Sequence, residues 1–274
     1  MRDIDAAEAQ LAEIQSRATR HETLGGVVWH AWGQGPPIIM LHGAAGSWRH
    51  WLHNVGPLSA RHQVLCADMP GYGDSAMPTG PVTLESFAGM LIDGIEALIP
   101  RTPFALVGFS LGATIAAQVA HGMGERVTRL ILLGSGGLTP ANFVEMERVR
   151  DKQGAARIEA HRENLRRIMI HDEARIDALA LAAQSWNSDR SRLRLRGALP
   201  PMTLKRLLPD ITAPTDAIWG EHDQPARGNL QERVDMLKTL KPDAKVAIVP
   251  GAGHWVAYEA ADAVNAVLEE RLGK

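Results

Sequence analysis

The sequence holds one cysteine among 274 residues. Cys66 can close no internal disulfide, and its place in the apolar run HQVLCADMP reads as a buried strand position. That usage suits a reducing cytoplasm. Charge of one sign is lacking too: 29 Lys and Arg against 31 Asp and Glu leave a formal net charge of -2. Nucleic acid and anionic membranes therefore have no general electrostatic claim on the chain as partners, and a small molecule is the expected one. The first twenty residues, MRDIDAAEAQLAEIQSRATR, contain early acids and no apolar stretch of the length a signal peptide or membrane span needs. Repeats and low-complexity tracts are missing. So is a metal-ligand pattern: His50 and His53 in HWLHN stand three apart on a predicted helix, but no third ligand has a fixed spacing and no His-Glu-x-x-His occurs. No metal or organic cofactor is expected.

What is present is alternation. Six short aliphatic runs, PPIIMLHG, HQVLCADMP, FALVGFS, TRLILLGSGG, DAIWGEHD and AKVAIVPGAGH, each end in glycine or polar residues. Between them lie SWRHWLHNVGPLS, TLESFAGMLIDGIEALI, LGATIAAQVAHGM and NLQERVDMLKTL, with AADAVNAVLEERL at the end, all with apolar residues three and four apart. Alternation of this kind predicts an α/β fold with a mostly parallel sheet covered by helices on both faces, because each parallel pair needs a crossover. ETLGGVVWHAW supplies a leading hairpin. Ile4, Ala7, Leu11 and Ile14 follow helical spacing, so residues 1–20 read as an amphipathic leader helix that packs on the body or joins two copies in a homodimer. The alternation stops over residues 141–209, where VEMERVRDKQGAARIEAHRENLRRIMI and EARIDALALAAQSW read as arginine-rich helices. This is an insertion, and Arg157, Arg162, Arg166, Arg167, Arg190, Arg192 and Arg194 read mostly as its solvated faces. Residues 21–140 and 210–274 form the core.

One pentapeptide carries chemistry. In GFSLG, Ser110 sits between Gly108 and Gly112 directly after a strand run and before a helix, a setting that lifts a hydroxyl clear on a strained bend. The helix that starts there directs free N-H groups at the same point and favours negative charge on a substrate oxygen. A serine hydroxyl is a weak nucleophile at neutral pH, so a histidine must take its proton and a carboxylate must orient that histidine. Asp223 ends the run TDAIWGEHD and His254 follows the Gly-Ala-Gly loop of KVAIVPGAGHW, giving the order Ser, Asp, His. Asp216 and Glu221 are rival acids, one at the start of its run and the other earlier in the turn. Two N-H donors would complete an oxyanion hole: Leu111, after the serine, and Ala44 in LHGAAGSW, where small residues let backbone approach a substrate. His42 in that loop reads as a satisfied core histidine.

LHGAAGSW, DMPGYGDS, GFSLG, WGEHD and GAGHW, in this order and spacing over nearly the whole chain, resemble the α/β-hydrolase family. The resemblance implies a serine hydrolase with Ser110 as nucleophile, Asp223 as acid, His254 as base, Ala44 and Leu111 as oxyanion donors, and residues 141–209 as a helical cap. DMPGYGDS looks like the family's loop after the fourth strand, and no chemistry is assigned to Asp68 or Asp74. Within the family the chain is most similar to the hydrolases of meta-cleavage products in aromatic degradation, which cut a carbon-carbon bond next to a ketone. Trp255 after the histidine suggests that likeness, as does Arg190 in QSWNSDRSRLR, where a cap arginine would clamp a substrate carboxylate. Phe109 departs from the asparagine usual before the serine of that subfamily and makes a plain ester, thioester or lactone credible. Perhydrolase-like relatives share the aromatic residue. Phe109, Trp186, Arg190 and Trp255 are thus the expected substrate contacts, with Trp48, Trp51, Met146, Met169 and Leu181 as further lining. A ligand sensor on the same fold would keep an intact triad.

Overall fold

In the computed structural model, which describes residues 2–140, 142, 144–195 and 199–273, eight strands form one sheet. They are β1 (Thr19–Thr23), β2 (Val27–Trp32), β3 (Pro37–Leu41), β4 (Gln63–Asp68), β5 (Phe104–Phe109), β6 (Val127–Leu133), β7 (Thr215–Gly220) and β8 (Val246–Val249), in the order β1-β2-β4-β3-β5-β6-β7-β8. The hairpin β1–β2 is antiparallel and β2 meets β4 antiparallel; every pairing from β4 onward is parallel. The central strands β3, β5 and β7 are buried along their whole length, as sheets covered on both faces require.

The helices are α1 (Arg2–Ser16), α2 (Val55–Ser59), α3 (Leu84–Leu98), α4 (Leu111–Met123), α5 (Gly154–Asn164), α6 (Ala178–Asp189), α7 (Thr203–Leu207), α8 (Leu230–Leu240), α9 (Val256–Glu259) and α10 (Ala261–Leu272). One apolar layer, with Phe87, Leu91 and Ile115, packs on one face of the sheet; the other, with Trp51, Val107 and Leu268, packs on the opposite face. The leader helix is shorter than its 20-residue expectation, because it ends at Ser16 and β1 begins at Thr19. Of its two expected uses it shows the first: Ala7 and Leu11 are buried against the body, and the Trp32 indole N-H donates to the Ile14 carbonyl at 3.0 Å. Among the described residues no helix is long and apolar enough to cross a membrane.

Two expected helices are broken. SWRHWLHNVGPLS divides into a single turn over Trp48–Trp51 and the short α2, where Gly56 and Pro57 shorten the run. In the insertion, residues 144–153 are irregular and regular helix begins only at Gly154. Side chains compete for that backbone: Asn164 Oδ1 accepts from the Glu147 N-H at 2.7 Å while its Nδ2 donates to the Glu147 carbonyl at 3.0 Å. Residues Ala141, Phe143, Arg196, Gly197 and Ala198 of the expected insertion, with Met1 and Lys274, lie outside the described residues. Between β6 and β7 the insertion holds α5, a π-helical turn over Leu165–Met169, α6 and α7.

Parallel register brings the carboxyl ends of the central strands to one rim. Leu41 pairs with Gly108, Phe109 with Leu133, Leu133 with Ile218 and Gly220 with Val249. Whatever follows those strands is gathered above that rim.

Candidate active site

Ser110 occupies the turn between β5 and α4 with φ 53° and ψ -114°. A side chain in that region is strained and persists only where its surroundings hold it. Here the Ser110 N-H donates to the Leu133 carbonyl at 2.9 Å, and its carbonyl accepts from the Ala113 N-H at 3.1 Å. The flanking glycines do a different job from bending. A Cβ at Gly108 would lie 2.4 Å from the Gly112 carbonyl oxygen, and one at Gly112 would lie 2.3 Å from that of Leu41. Absent side chains thus let α4 dock against β3 and β5, while the strain falls on the serine.

His254 and Asp223 meet Ser110 over this rim. His254 Nε2 lies 3.0 Å from Ser110 Oγ, and Nδ1 lies 2.9 Å from Asp223 Oδ2. The carboxylate accepts, so Nδ1 carries the hydrogen and Nε2 presents its lone pair to the hydroxyl. Asp223 is 2% exposed, and its Oδ1 accepts from the Ala226 N-H at 3.1 Å, which fixes the carboxylate. Gly134, at φ +52°, makes room for the imidazole: a Cβ there would stand 3.0 Å from His254 Nδ1. Phe109 packs on the ring at 5.0 Å. The rival acids lie elsewhere. Asp216 in β7 pairs with Arg129 at 2.6 Å, and Glu221 is exposed.

The loop after β3 closes the third side. A Cβ on Gly43 would come within 3.3 Å of the Ser110 Cβ, so this loop passes directly beside the hydroxyl. The Gly43 N-H is engaged by His50 Nδ1 at 3.2 Å, whereas among the described residues the Ala44 N-H donates to no protein group. Leu111, first residue of α4, has its N-H free of the helix ladder. His42 is fully buried, donating from Nδ1 to the Gly43 carbonyl at 2.7 Å and accepting at Nε2 from the Met69 N-H at 2.9 Å. Burial lowers its pKa to about 4, so the ring is neutral and structural. His50 is pushed well below the usual histidine range, again by burial.

A family model described as the alpha/beta hydrolase family matches residues 38–267. The chain belongs to the alpha/beta hydrolase family. Among curated proteins it is 30% identical over 257 residues to the 2-hydroxy-6-oxononadienedioate/2-hydroxy-6-oxononatrienedioate hydrolase of Comamonas testosteroni, covering 85% of this chain and 86% of that one. It is 28% identical over 256 residues to the 2-hydroxy-6-oxo-6-phenylhexa-2,4-dienoate hydrolase of Burkholderia cepacia, with 85% and 86% covered. Among solved structures, a meta-cleavage product hydrolase from Pseudomonas fluorescens IP01 superposes with a TM-score of 0.71 at 23% identity, covering 91% of this chain and 95% of that one. A bacterial membrane phospholipase A reaches 0.76, also at 23% identity, with 98% and 92% covered. These two likenesses establish the shared fold.

In this alpha/beta hydrolase the expected substrate contacts divide. Trp255 and Phe109 are 0% and 1% exposed and pack into the core in this structure. The Trp255 indole donates to the His50 carbonyl at 2.9 Å and stacks on Tyr258, which leaves its N-H satisfied away from Ser110. Trp48, Trp51 and Leu181 are buried as well, and Met146 is exposed. Trp186 and Arg190 remain accessible, but Arg190 is engaged: its guanidinium stacks 4.1 Å over Trp186 and its Nε lies 3.5 Å from Asp74. The other insertion arginines are largely tied down, Arg157 to Asp189 and Arg166 with Arg167 to Glu163. Those hydrogen bonds hold the Glu163 carboxyl down to about 2.

The rings of His50 and His53 pack against Trp255 and Tyr258 respectively. His30, Asp68 and Asp74 do stand close enough to share an ion. Asp68 accepts from the N-H groups of Trp48 at 2.9 Å and Asp74 at 3.0 Å, whereas neither ring nitrogen of the buried His30 has a hydrogen-bond partner among the described residues, its Nε2 standing 3.7 Å from Asp68 Oδ2. Burial pushes the Asp68 carboxyl up, yet the neighbouring His30 ring and the Asp74 N-H outweigh it and leave it below the usual range. Asp68 thereby shapes the DMPGYGDS turn. Sequence reasoning passed over two residues that build the site, Gly134 and Glu259, and weighed His50 only as a metal ligand. The signal for Glu259 was an acid in the otherwise apolar run WVAYEAA.

Proposed function

We propose that this chain hydrolyses a small organic substrate at a carbonyl carbon, with Ser110 as nucleophile, His254 as general base and Asp223 as its orienting acid. The observation that supports this most is the unbroken chain from Ser110 Oγ through His254 to Asp223 at 3.0 and 2.9 Å. Ser110 Oγ bonds to the carbonyl carbon as its proton passes to His254 Nε2. The oxygen that becomes negative is received by the N-H groups of Leu111 and Ala44, backed by the dipole of α4. His254 then returns the proton to the leaving group, and water attacks the acyl-serine by the reverse route.

The curated relatives point to a ring-opened dienoate and carbon-carbon cleavage as the substrate class. Two features of this chain favour a second reading, a carboxylic ester: Phe109 fills the position before the serine with a buried ring, and Arg190 already faces Asp74 at 3.5 Å. Both reactions pass through the same tetrahedral oxyanion, so the leaving group separates them. The buried thiol of Cys66 is raised well above the ordinary range by burial, so it is not a rival nucleophile.

An organophosphonate should label Ser110 in the wild-type protein and leave Ser110→Ala unmarked. Turnover of the better substrate, from p-nitrophenyl esters of graded acyl length set beside a ring-opened dienoate, should fall by about 10⁴ or more in Ser110→Ala with binding retained. Wild-type protein that binds ligand without taking up the phosphonate would point to a sensor instead.

A further inference from the structure

Glu259, the last residue of α9, is 8% exposed, and among the described residues no lysine or arginine stands within ion-pair distance of it. Its carboxylate instead accepts backbone N-H groups from two distant segments. One side is the insertion, through His171 at 3.0 and 3.1 Å and Asp172 at 2.6 Å. The other is Gly253, immediately before His254, at 2.7 Å. A buried carboxylate without a cation is costly unless charge-assisted donors surround it, so Glu259 holds both segments together or is left badly solvated.

Neighbouring contacts run the same way. The Trp255 N-H donates to the Met169 carbonyl at 2.6 Å, on the far side of His254. A Cβ on Gly253 would stand 2.8 Å from the His171 nitrogen, so the two backbones touch directly and only glycine fits. The His171 ring stacks on His222 at 3.7 Å, and His222, next to Asp223, donates its N-H to the Ala252 carbonyl at 2.8 Å. Residues 169–172 of the insertion therefore touch the immediate neighbours of both base and acid.

We infer that Glu259 is a positioning residue that locks residues 169–172 of the insertion to the His254 loop, so that the base is placed correctly only while the insertion is seated. This rests on the serine-hydrolase reading above. Glu259 touches no triad side chain; it acts through the backbone of Gly253.

The test compares Glu259→Gln and Glu259→Asp with wild type. Gln keeps the size but turns one acceptor oxygen into an NH₂ group facing an N-H donor, while Asp keeps the charge. A cleft of about 570 Å³ borders Glu259 and Asp172 and lets water reach the broken bond. With kcat counted per phosphonate-titratable Ser110, Glu259→Gln should lose about thirtyfold, with KM within about threefold, since small misplacement of a base is expensive. Glu259→Asp should recover part of that loss. A kcat per titratable site within about twofold of wild type, whatever the melting temperature, would leave Glu259 a fold residue and overturn the inference. Hydrogen exchange supplies an arm independent of chemistry: the amides of Gly253, His171 and Asp172 should lose protection together in Glu259→Gln. Unchanged exchange at His171 and Asp172 sinks the lock. Failure of wild-type protein to take up phosphonate would instead remove the hydrolase reading, with the exchange result still deciding whether the two segments are coupled.

Discussion

The rim of the sheet and the insertion above it are built by different means. At the rim, Ser110 and Asp223 follow the buried strands β5 and β7 and His254 follows the partly exposed β8, each within a few residues, and parallel register brings those strand ends level. In the insertion, α5 is joined to an irregular stretch by side-chain bonds of Asn164, and the whole segment reaches the base loop through Glu259, 88 positions along the chain from His171. The first kind of placement is local and rigid; the second depends on contacts between parts far apart in sequence. A site assembled this way fixes Ser110 by local structure and leaves the elements above it dependent on long-range contacts.

If the rim is the exacting half, adding one methyl group there should cost activity while the same change in the insertion should not. Gly134 and Gly154 allow that comparison, since both have positive φ, +52° and +53°. A Cβ at Gly134 would press within 3.0 Å of His254 Nδ1 and 3.2 Å of the Phe109 ring, whereas at Gly154 it would meet nothing within 4 Å. Gly134→Ala should lower kcat about a hundredfold by displacing the imidazole. Gly154→Ala should cost about 1 kcal/mol of stability through backbone strain and leave kcat within about twofold. Steady-state kinetics beside thermal melts check both, and equal kinetic losses would mean the rim is no stiffer than the insertion.

Acid provides the next contrast. His42, beneath the rim, is held neutral with a pKa lowered to about 4 by burial, against 6.5 ordinarily. Between those values the unfolded chain binds the proton and the folded one does not, so stability is full above about pH 6.5 and falls as pH drops toward 4. The contribution at stake is of order 3 kcal/mol. His161 in α5 is likewise lowered to about 4, chiefly by burial, and its contribution has the same sign. Melting temperature followed across this window should flatten in His42→Gln. If His161→Gln flattens it instead, the insertion is the acid-sensitive half.

The same division governs what could be read from sequence. Strand runs, the Ser110 elbow and the order of Asp223 and His254 were legible because each is a short pattern whose meaning is carried by its own residues. The leading hairpin and the covered parallel sheet followed from alternation in the same way. The insertion was visible only as a loss of that alternation. Nothing in VEMERVRDKQ announces that Asn164 will take over the backbone of Glu147, because that bond crosses 17 positions and replaces a helix that propensity alone favours. The packing of Trp255 and Phe109 was hidden for a related reason: adjacency in sequence to His254 or Ser110 says nothing about which way the ring turns, and both turn into the core.

Arg190 is where the two halves meet, and its effect is expected to be the smallest. It comes from the insertion, stacks on Trp186, and reaches Asp74 in the loop that follows β4. At 42% side-chain exposure the pair is well screened, so its worth to stability is slight. Its worth to binding depends on what the guanidinium faces. If it clamps a substrate carboxylate, the anion must displace Asp74, and the carboxylate of Asp74 is then a competitor. Arg190→Ala should raise KM for an anionic substrate by about three- to tenfold and leave a neutral ester unaffected, whereas Asp74→Asn should lower KM for the anion by freeing the arginine. Added salt should shrink both effects. Equal changes for anionic and neutral substrates in Arg190→Ala would return Arg190 to the role its present contacts describe, a brace between the insertion and the rim.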